Sequence, residues 1–164
     1  MKLYVMRHGP AEDDSPTGRD ADRALTTPGR DRTRSVARAL VDGGEGPAAI
    51  LSSPLVRAVQ TAEIVAAACG VEKVEVRREM APGGDALGLV GELVRAGRKR
   101  VMVVGHEPDL SMLVHRLVGT TPEAGMLKAM VVGIRCEAAE SDARGFTSKL
   151  RFVLDPKTLD WQRD

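Results

Sequence analysis

Apolar and polar positions along this chain switch repeatedly between strand and helix periods. Residues 2–7, Lys-Leu-Tyr-Val-Met-Arg, are a short, nearly continuous apolar run that predicts a buried strand. Residues 10–24 are polar, with Pro, Gly and several Asp, and read as a surface loop. Thr27-Pro28 is a helix start, because proline suits the first helical position, and Val36, Ala37, Ala39 and Leu40 carry that helix to Gly43-Gly44. Ala48 to Ser52 reads as a short strand, and Ser53-Pro54 opens a second helix, capped by Ser53, that ends near Gly70. Val71 to Arg77 alternates like a strand. Pro82-Gly83-Gly84-Asp85 is a turn leading into a helix that closes at Gly97. Arg100 to Val104 is a strongly apolar strand, followed by a helix from Pro108 to Val118. Lys128 to Cys136 and Phe146 to Leu154 have no helical crossover between them and so predict an antiparallel pair.

Alternating strands and helices predict an α/β fold, a three-layer sandwich whose mostly parallel sheet has helices on both faces and an antiparallel edge. No repeat or linker interrupts the chain, so residues 1–164 are expected to form a single domain. Aromatic residues make up only 2% of the sequence, which leaves the core to Ala, Val, Leu, Ile and Met. Lys+Arg and Asp+Glu nearly cancel at 24 against 23, with no basic block, so nucleic-acid binding is not expected. Cys69 and Cys136 fit no metal-ligand or redox spacing and read as reduced core cysteines. The first apolar run is too short for a signal-peptide core, and nothing approaches the ~20 apolar residues of a membrane span. A cytoplasmic protein without a membrane partner is the expectation.

The chemistry gathers where strands end. Two of the three histidines, His8 and His106, each follow an apolar strand, and ligands of open α/β sheets bind beyond the carboxyl ends of the strands. Alone, His8 is an ordinary loop residue. Arg7 beside it changes that reading, because a guanidinium offers a planar, permanently charged fork matched to phosphate oxygens. A neutral imidazole nitrogen is a competent nucleophile toward phosphorus, and Gly9 would let backbone approach a ligand. His106 stands before a helix whose N-terminus favours anions, and in protonated form it would stabilise charge on the equatorial oxygens. Ser52 and Ser53 follow another strand, with Arg57 on the first helical turn, where its side chain can enter the same crevice. His115 lies within a predicted helix and reads as structural.

On these residues the chain resembles the histidine phosphatase, or phosphoglycerate mutase-like, superfamily. That family carries Arg-His-Gly after the first strand, Ser-x-x-x-Arg-Ala-x-x-Thr, and Gly-His after a later strand. Arg7-His8-Gly9, Ser53 to Thr61 and Gly105-His106 supply all three in order. Within it the chain is most similar to the short SixA-type phosphohistidine phosphatases, through its size, Leu25-Thr26-x-x-Gly29, Pro82-x-Gly84-Asp85 and Gly105-His106-Glu107-Pro108. The resemblance implies a phosphoglycerate mutase-like fold, with His8 as nucleophile and Arg7, Arg57 and His106 completing the phosphate pocket.

Larger relatives place a proton-donating glutamate shortly after the strand that follows the Arg-Ala helix, and Glu79 sits at that point. A surface carboxylate at a strand end is the alternative for Glu79; the loop acids Glu12, Asp13 and Asp14 could act instead, with plain solvation as their alternative. The chain is too short for the insertions that build a lid in the larger enzymes. The substrate implied is phosphohistidine on a protein, with a small phosphate ester as the rival. A mutase or a non-catalytic phosphate-binding module are the remaining readings. No cofactor or metal is expected, because two arginines and an imidazolium can supply the positive charge.

Overall fold

The computed structural model describes residues 1–163. At its centre is β1 (Lys2–Arg7), in which Leu3, Tyr4, Val5 and Met6 are fully buried. A strand apolar on both pleats needs cover on both faces. β1 is flanked by β4 (Arg100–Gly105), which runs parallel to it, and by β5 (Val131–Ala138), which runs antiparallel. Outside β4 lie β2 (Ala49–Ser52) and β3 (Val74–Val76), and outside β5 lie β6 (Phe146–Leu154) and β7 (Trp161–Arg163). One sheet results, in the order β3-β2-β4-β1-β5-β6-β7.

Helices α1 (Thr27–Asp42) and α2 (Val56–Cys69) cover one face, where Val36, Leu40, Ala58, Ala62 and Val65 pack on Tyr4, Met6, Met102 and Val104. Helices α3 (Ala86–Arg95) and α4 (Asp109–Val118) cover the other, packing Leu89, Leu93, Leu110 and Leu113 on Leu3, Val5, Val101 and Val103. Adjacent residues of β1 and β4 thus feed opposite cores, as the period of a strand requires. This is the expected three-layer α/β sandwich. Among the described residues, no helix is long and apolar enough to cross a membrane. Cys136 is buried, Cys69 is half-buried, and both are free.

Three details differ from the sequence reading. β7 was not expected. It is only three residues long, too short to show a period, and forms because the Asp155 carboxylate accepts the Lys157 and Thr158 N–H groups and turns the chain back. Trp161 then stacks against Phe152, ring centroids 4.7 Å apart. β3 covers 74–76 rather than 71–77, because the Val71 N–H is spent on the Ala66 carbonyl at the end of α2. α2 starts at Val56 with extended Leu55 at its N-cap and no side-chain cap. Ser53 does not cap it, because its hydroxyl is engaged by the Leu55 N–H and by His106.

A buried ion pair ties the far end of the sheet together. Glu45, 5% exposed, receives Arg151 at 2.6 and 3.0 Å and the Tyr4 hydroxyl at 3.0 Å, with Lys2 at 3.5 Å. Burial alone would raise the Glu45 carboxyl, but the bonds from Arg151 and Tyr4 outweigh it and hold it down to about 2. Breaking a buried pair typically costs ~3–5 kcal/mol, and we expect Glu45→Gln to fall at the low end because Arg151 is partly exposed. The pair's contribution should be complete above 4.5, where glutamate ionises in the unfolded chain, and be lost as pH falls through about 2. Urea denaturation of wild type and Glu45→Gln across this acid range checks it, since the two stability curves should converge toward the low end.

Candidate active site

Three neighbouring strands end together. Arg7 of β1 is in register with Gly105 of β4, and Ser52 of β2 is in register with Val104. His8 and Ser53 extend this ladder past the strand ends, through His8 N–H to the Gly105 carbonyl at 3.2 Å and Ser53 N–H to the Val104 carbonyl at 3.0 Å. The sheet thereby delivers two imidazoles and a hydroxyl to one carboxyl edge, and the first turn of α2 adds Arg57. The ring centroids of His8 and His106 are 5.2 Å apart, and Arg57 Nε lies 3.4 Å from His8 Nε2. All three side chains belong to buried residues.

Hydrogen bonding assigns the tautomer of His8. A carbonyl can only accept, so the 2.7 Å contact between His8 Nδ1 and Gly9 O places the hydrogen on Nδ1. Nε2 keeps its lone pair, toward which Arg57 Nε–H points. Burial, reinforced by His106, Arg57 and Arg7 and opposed by the Gly9 carbonyl, pushes His8 down to about 3. At neutral pH His8 is an uncharged imidazole with one nitrogen free.

His106 is not protonated before an anion arrives. Burial first, then Arg57, push it down to about 4, with Asp109 and Asp20 opposing and Arg7 adding to the fall. In this arrangement His106 is neutral. Its Nε2 lies 2.7 Å from Ser53 Oγ, which already accepts the Leu55 N–H and has its own hydrogen to give. We therefore assign the ring hydrogen to Nδ1, a buried atom with no partner. Arg7 Nε is buried and unpartnered as well, while Arg7 Nη1 donates to the Met126 carbonyl at 2.9 Å. Two orphaned buried donors beside two imidazoles fit the oxygens of a phosphoryl group.

Glu79 stands apart from this group. Its carboxylate takes bonds from Arg77 at 2.7 and 3.2 Å, and none of its hydrogen bonds reaches His8, Arg57 or His106. Those bonds from Arg77 hold the Glu79 carboxyl below its usual value, so it is ionised. Glu12, Asp13 and Asp14 are exposed. His115 is exposed on α4 and is not part of the core. Gly9 has a different task from the one expected. A side chain there would meet Thr33 Oγ1 at 2.5 Å and the Gly29 carbonyl at 3.2 Å, so the missing Cβ makes room for α1 rather than for a ligand.

Some functional neighbours carried no sequence signal. Asp20, in a short 3-10 turn (Asp20–Asp22), gives its backbone carbonyl to Arg57 Nη1 at 2.9 Å and its carboxylate to Arg57 Nη2 at 3.1 Å. It is one Asp among several in a polar loop, and only the fold brings it to Arg57. Thr61 bridges the Arg57 carbonyl and the Gly9 N–H at 2.8 and 3.0 Å, tying α2 to the end of β1. Glu107 accepts the Ser111 N–H and hydroxyl, and Ser111 accepts the Met126 N–H, which positions the carbonyl that holds Arg7.

Comparison with known proteins agrees with this geometry. The family model described as histidine phosphatase superfamily (branch 1) matches residues 3–83. A protein of Picosynechococcus sp. with no assigned activity is 37% identical over 164 residues, covering 97% of this chain and 99% of its own. Phosphohistidine phosphatase SixA of Escherichia coli K12 is 37% identical over 128 residues, which is 74% of this chain and 78% of that one. The solved structure of the protein histidine phosphatase SixA with tungstate superposes with a TM-score of 0.83 at 28% identity, over 98% of this chain and 100% of that one.

The depressed histidines give a stability prediction. Histidine titrates near 6.5 when unfolded, against about 3 for His8 and about 4 for His106 in the fold. Between those values the unfolded chain binds more protons, so stability should fall with falling pH by roughly 1.4 kcal/mol per pH unit for each histidine. Denaturation at several pH values below neutrality should give a shallower slope for His106→Gln than for wild type.

Proposed function

This chain belongs to the histidine phosphatase superfamily and is a phosphatase, and we propose that it hydrolyses phosphohistidine carried on another protein through a covalent phosphate on His8. The observation that carries the reading is the neutral His8 ring, with Nδ1–H fixed on the Gly9 carbonyl and an unprotonated Nε2 whose only contact is the long one, 3.4 Å, from Arg57 Nε–H.

Attack by Nε2 forms a P–N bond and leaves His8 as a phosphoimidazolium whose Nδ1–H is already solvated by a carbonyl. The substrate's P–N bond breaks, its electron pair returns to the departing imidazole, and a proton on that ring's other nitrogen keeps the leaving group neutral. One phosphoimidazolium is exchanged for another, so the step is close to balanced and needs no strong acid. Water then attacks phosphorus, His8 departs with Nδ1–H in place, and the water's proton passes to phosphate and solvent. Arg7, Arg57 and His106 hold the phosphoryl oxygens through the transfer, which is mainly a task of positioning and charge. His106 takes up a proton as the dianion arrives. An ionised Glu79 locked to Arg77 has no place in this scheme as an acid. Two free cysteines fit a reducing, cytoplasmic setting.

His8→Ala should abolish turnover while leaving the fold intact, and rapid quenching of wild type should trap an acid-labile, base-stable phosphate. Substantial turnover by His8→Ala would remove the mechanism. Arg7→Ala and Arg57→Ala should each lower kcat/KM by about a hundredfold or more, the scale for losing one transition-state donor. A chelator should change nothing.

Glu79→Gln should leave hydrolysis of phosphohistidine within about twofold of wild type, because a general acid is worth 10²–10⁴-fold only where the leaving group needs one. An alkyl phosphate as second substrate completes the check. A wild type that hydrolyses it far faster than phosphohistidine would put small esters in place of a protein substrate.

A further inference from the structure

Arg57 is almost enclosed, with a side chain 6% exposed, whereas that of Asp20 is 65% exposed. The two are joined at 3.1 Å, with Arg57 between the Asp20 carboxylate on the solvent side and His8 beneath. A guanidinium has five N–H groups. One goes to the Asp20 carbonyl and one to its carboxylate, two carry no protein partner, and the one on His8 Nε2 is released when that nitrogen attacks phosphorus, so up to three serve a phosphoryl group. Phosphate and the Asp20 carboxylate therefore share one guanidinium without displacing each other. The phosphoryl group must sit inward, against the buried histidines. The rest of the substrate then faces outward, where the carboxylate waits.

We propose that Asp20 is a specificity-determining residue, which selects substrates whose leaving group carries positive charge at the site mouth and rejects those that carry a carboxylate. Resting on the phosphohistidine reading, this names the leaving-group chemistry the site favours. The departing imidazole must hold a proton on the nitrogen that does not bear phosphorus. A carboxylate accepting that N–H favours the protonated ring, and when the P–N bond breaks the ring leaves neutral with the proton still attached. Asp20 thus does for the leaving imidazole what the Gly9 carbonyl does for His8. It acts as a fixed charge and not as a proton donor, since Arg23 at 2.9 Å and Arg57 keep the carboxyl below its usual value. A second anion at the same place meets repulsion instead.

The test compares wild type, Asp20→Asn and Asp20→Glu on a phosphohistidine peptide and on an alkyl phosphate bearing a carboxylate. For Asp20→Asn we expect kcat/KM to fall about fivefold on the peptide and to rise by a similar factor on the ester, the scale of one partly exposed charge pair. Asp20→Glu should keep the wild-type preference. An equal fall on both substrates would make Asp20 only a support for Arg57 and overturn the proposal, and so would no change on either. If wild type leaves the peptide untouched, the phosphohistidine reading fails by itself, and the ester arm still decides whether Asp20 selects by charge.

Discussion

The site depends on a positive charge that has been buried without a full counter-charge. Arg57 keeps its guanidinium almost out of solvent, and its partners are an imidazole lone pair, a backbone carbonyl and one exposed carboxylate. Removing a guanidinium from water is costly unless its hydrogen bonds are replaced. Three of its five N–H groups are satisfied by protein. The same charge, with Arg7, helps to keep both histidines unprotonated. In the proposed mechanism an uncharged nucleophile and a strong field for phosphate are therefore one arrangement, not two.

The scaffold makes this tolerable by fixing every partner from a different direction. β1 brings His8 and Arg7, β4 brings His106, β2 brings Ser53, and α2 brings Arg57 with Thr61 bracing it against Gly9. The Glu107–Ser111–Met126 relay holds Arg7 from the α4 side. Little in this set is free to reorganise, which suits a reaction that consists mostly of holding charge in place.

Much of this was legible in the sequence because β1, β2 and β4 are apolar on both pleats and announce themselves as short runs. His8 and His106 stand directly after such runs and Arg57 on the first turn of the helix after a third, which is why the sequence singles them out. What could not be read depends on contacts distant in sequence or on side-chain competition. Asp20 meets Arg57 across 37 residues, from a loop with no period. Ser53 has the composition of a helix cap, yet its hydroxyl is committed to His106. Glu79 occupies the right place along the chain, and only the bidentate contact with Arg77 reveals it to be tied up. The neutral resting state of His106 was not legible for a related reason, since burial is a property of the assembled sheet.

The two-sided character of β1 has one more implication. Leu3 and Val5 face one core, Tyr4 and Met6 the other, and apart from the Tyr4 hydroxyl, which is tied to Glu45, all that they bury is apolar. Sliding β1 by a single residue against β4 would exchange the faces at modest hydrophobic cost. The same slip would turn His8 to the other side of the sheet, away from Arg57. Burial alone thus discriminates weakly between the correct alignment and its neighbour, whereas turnover discriminates absolutely. For this chain, catalytic competence is a more sensitive gauge of correct strand alignment than any measure of compactness.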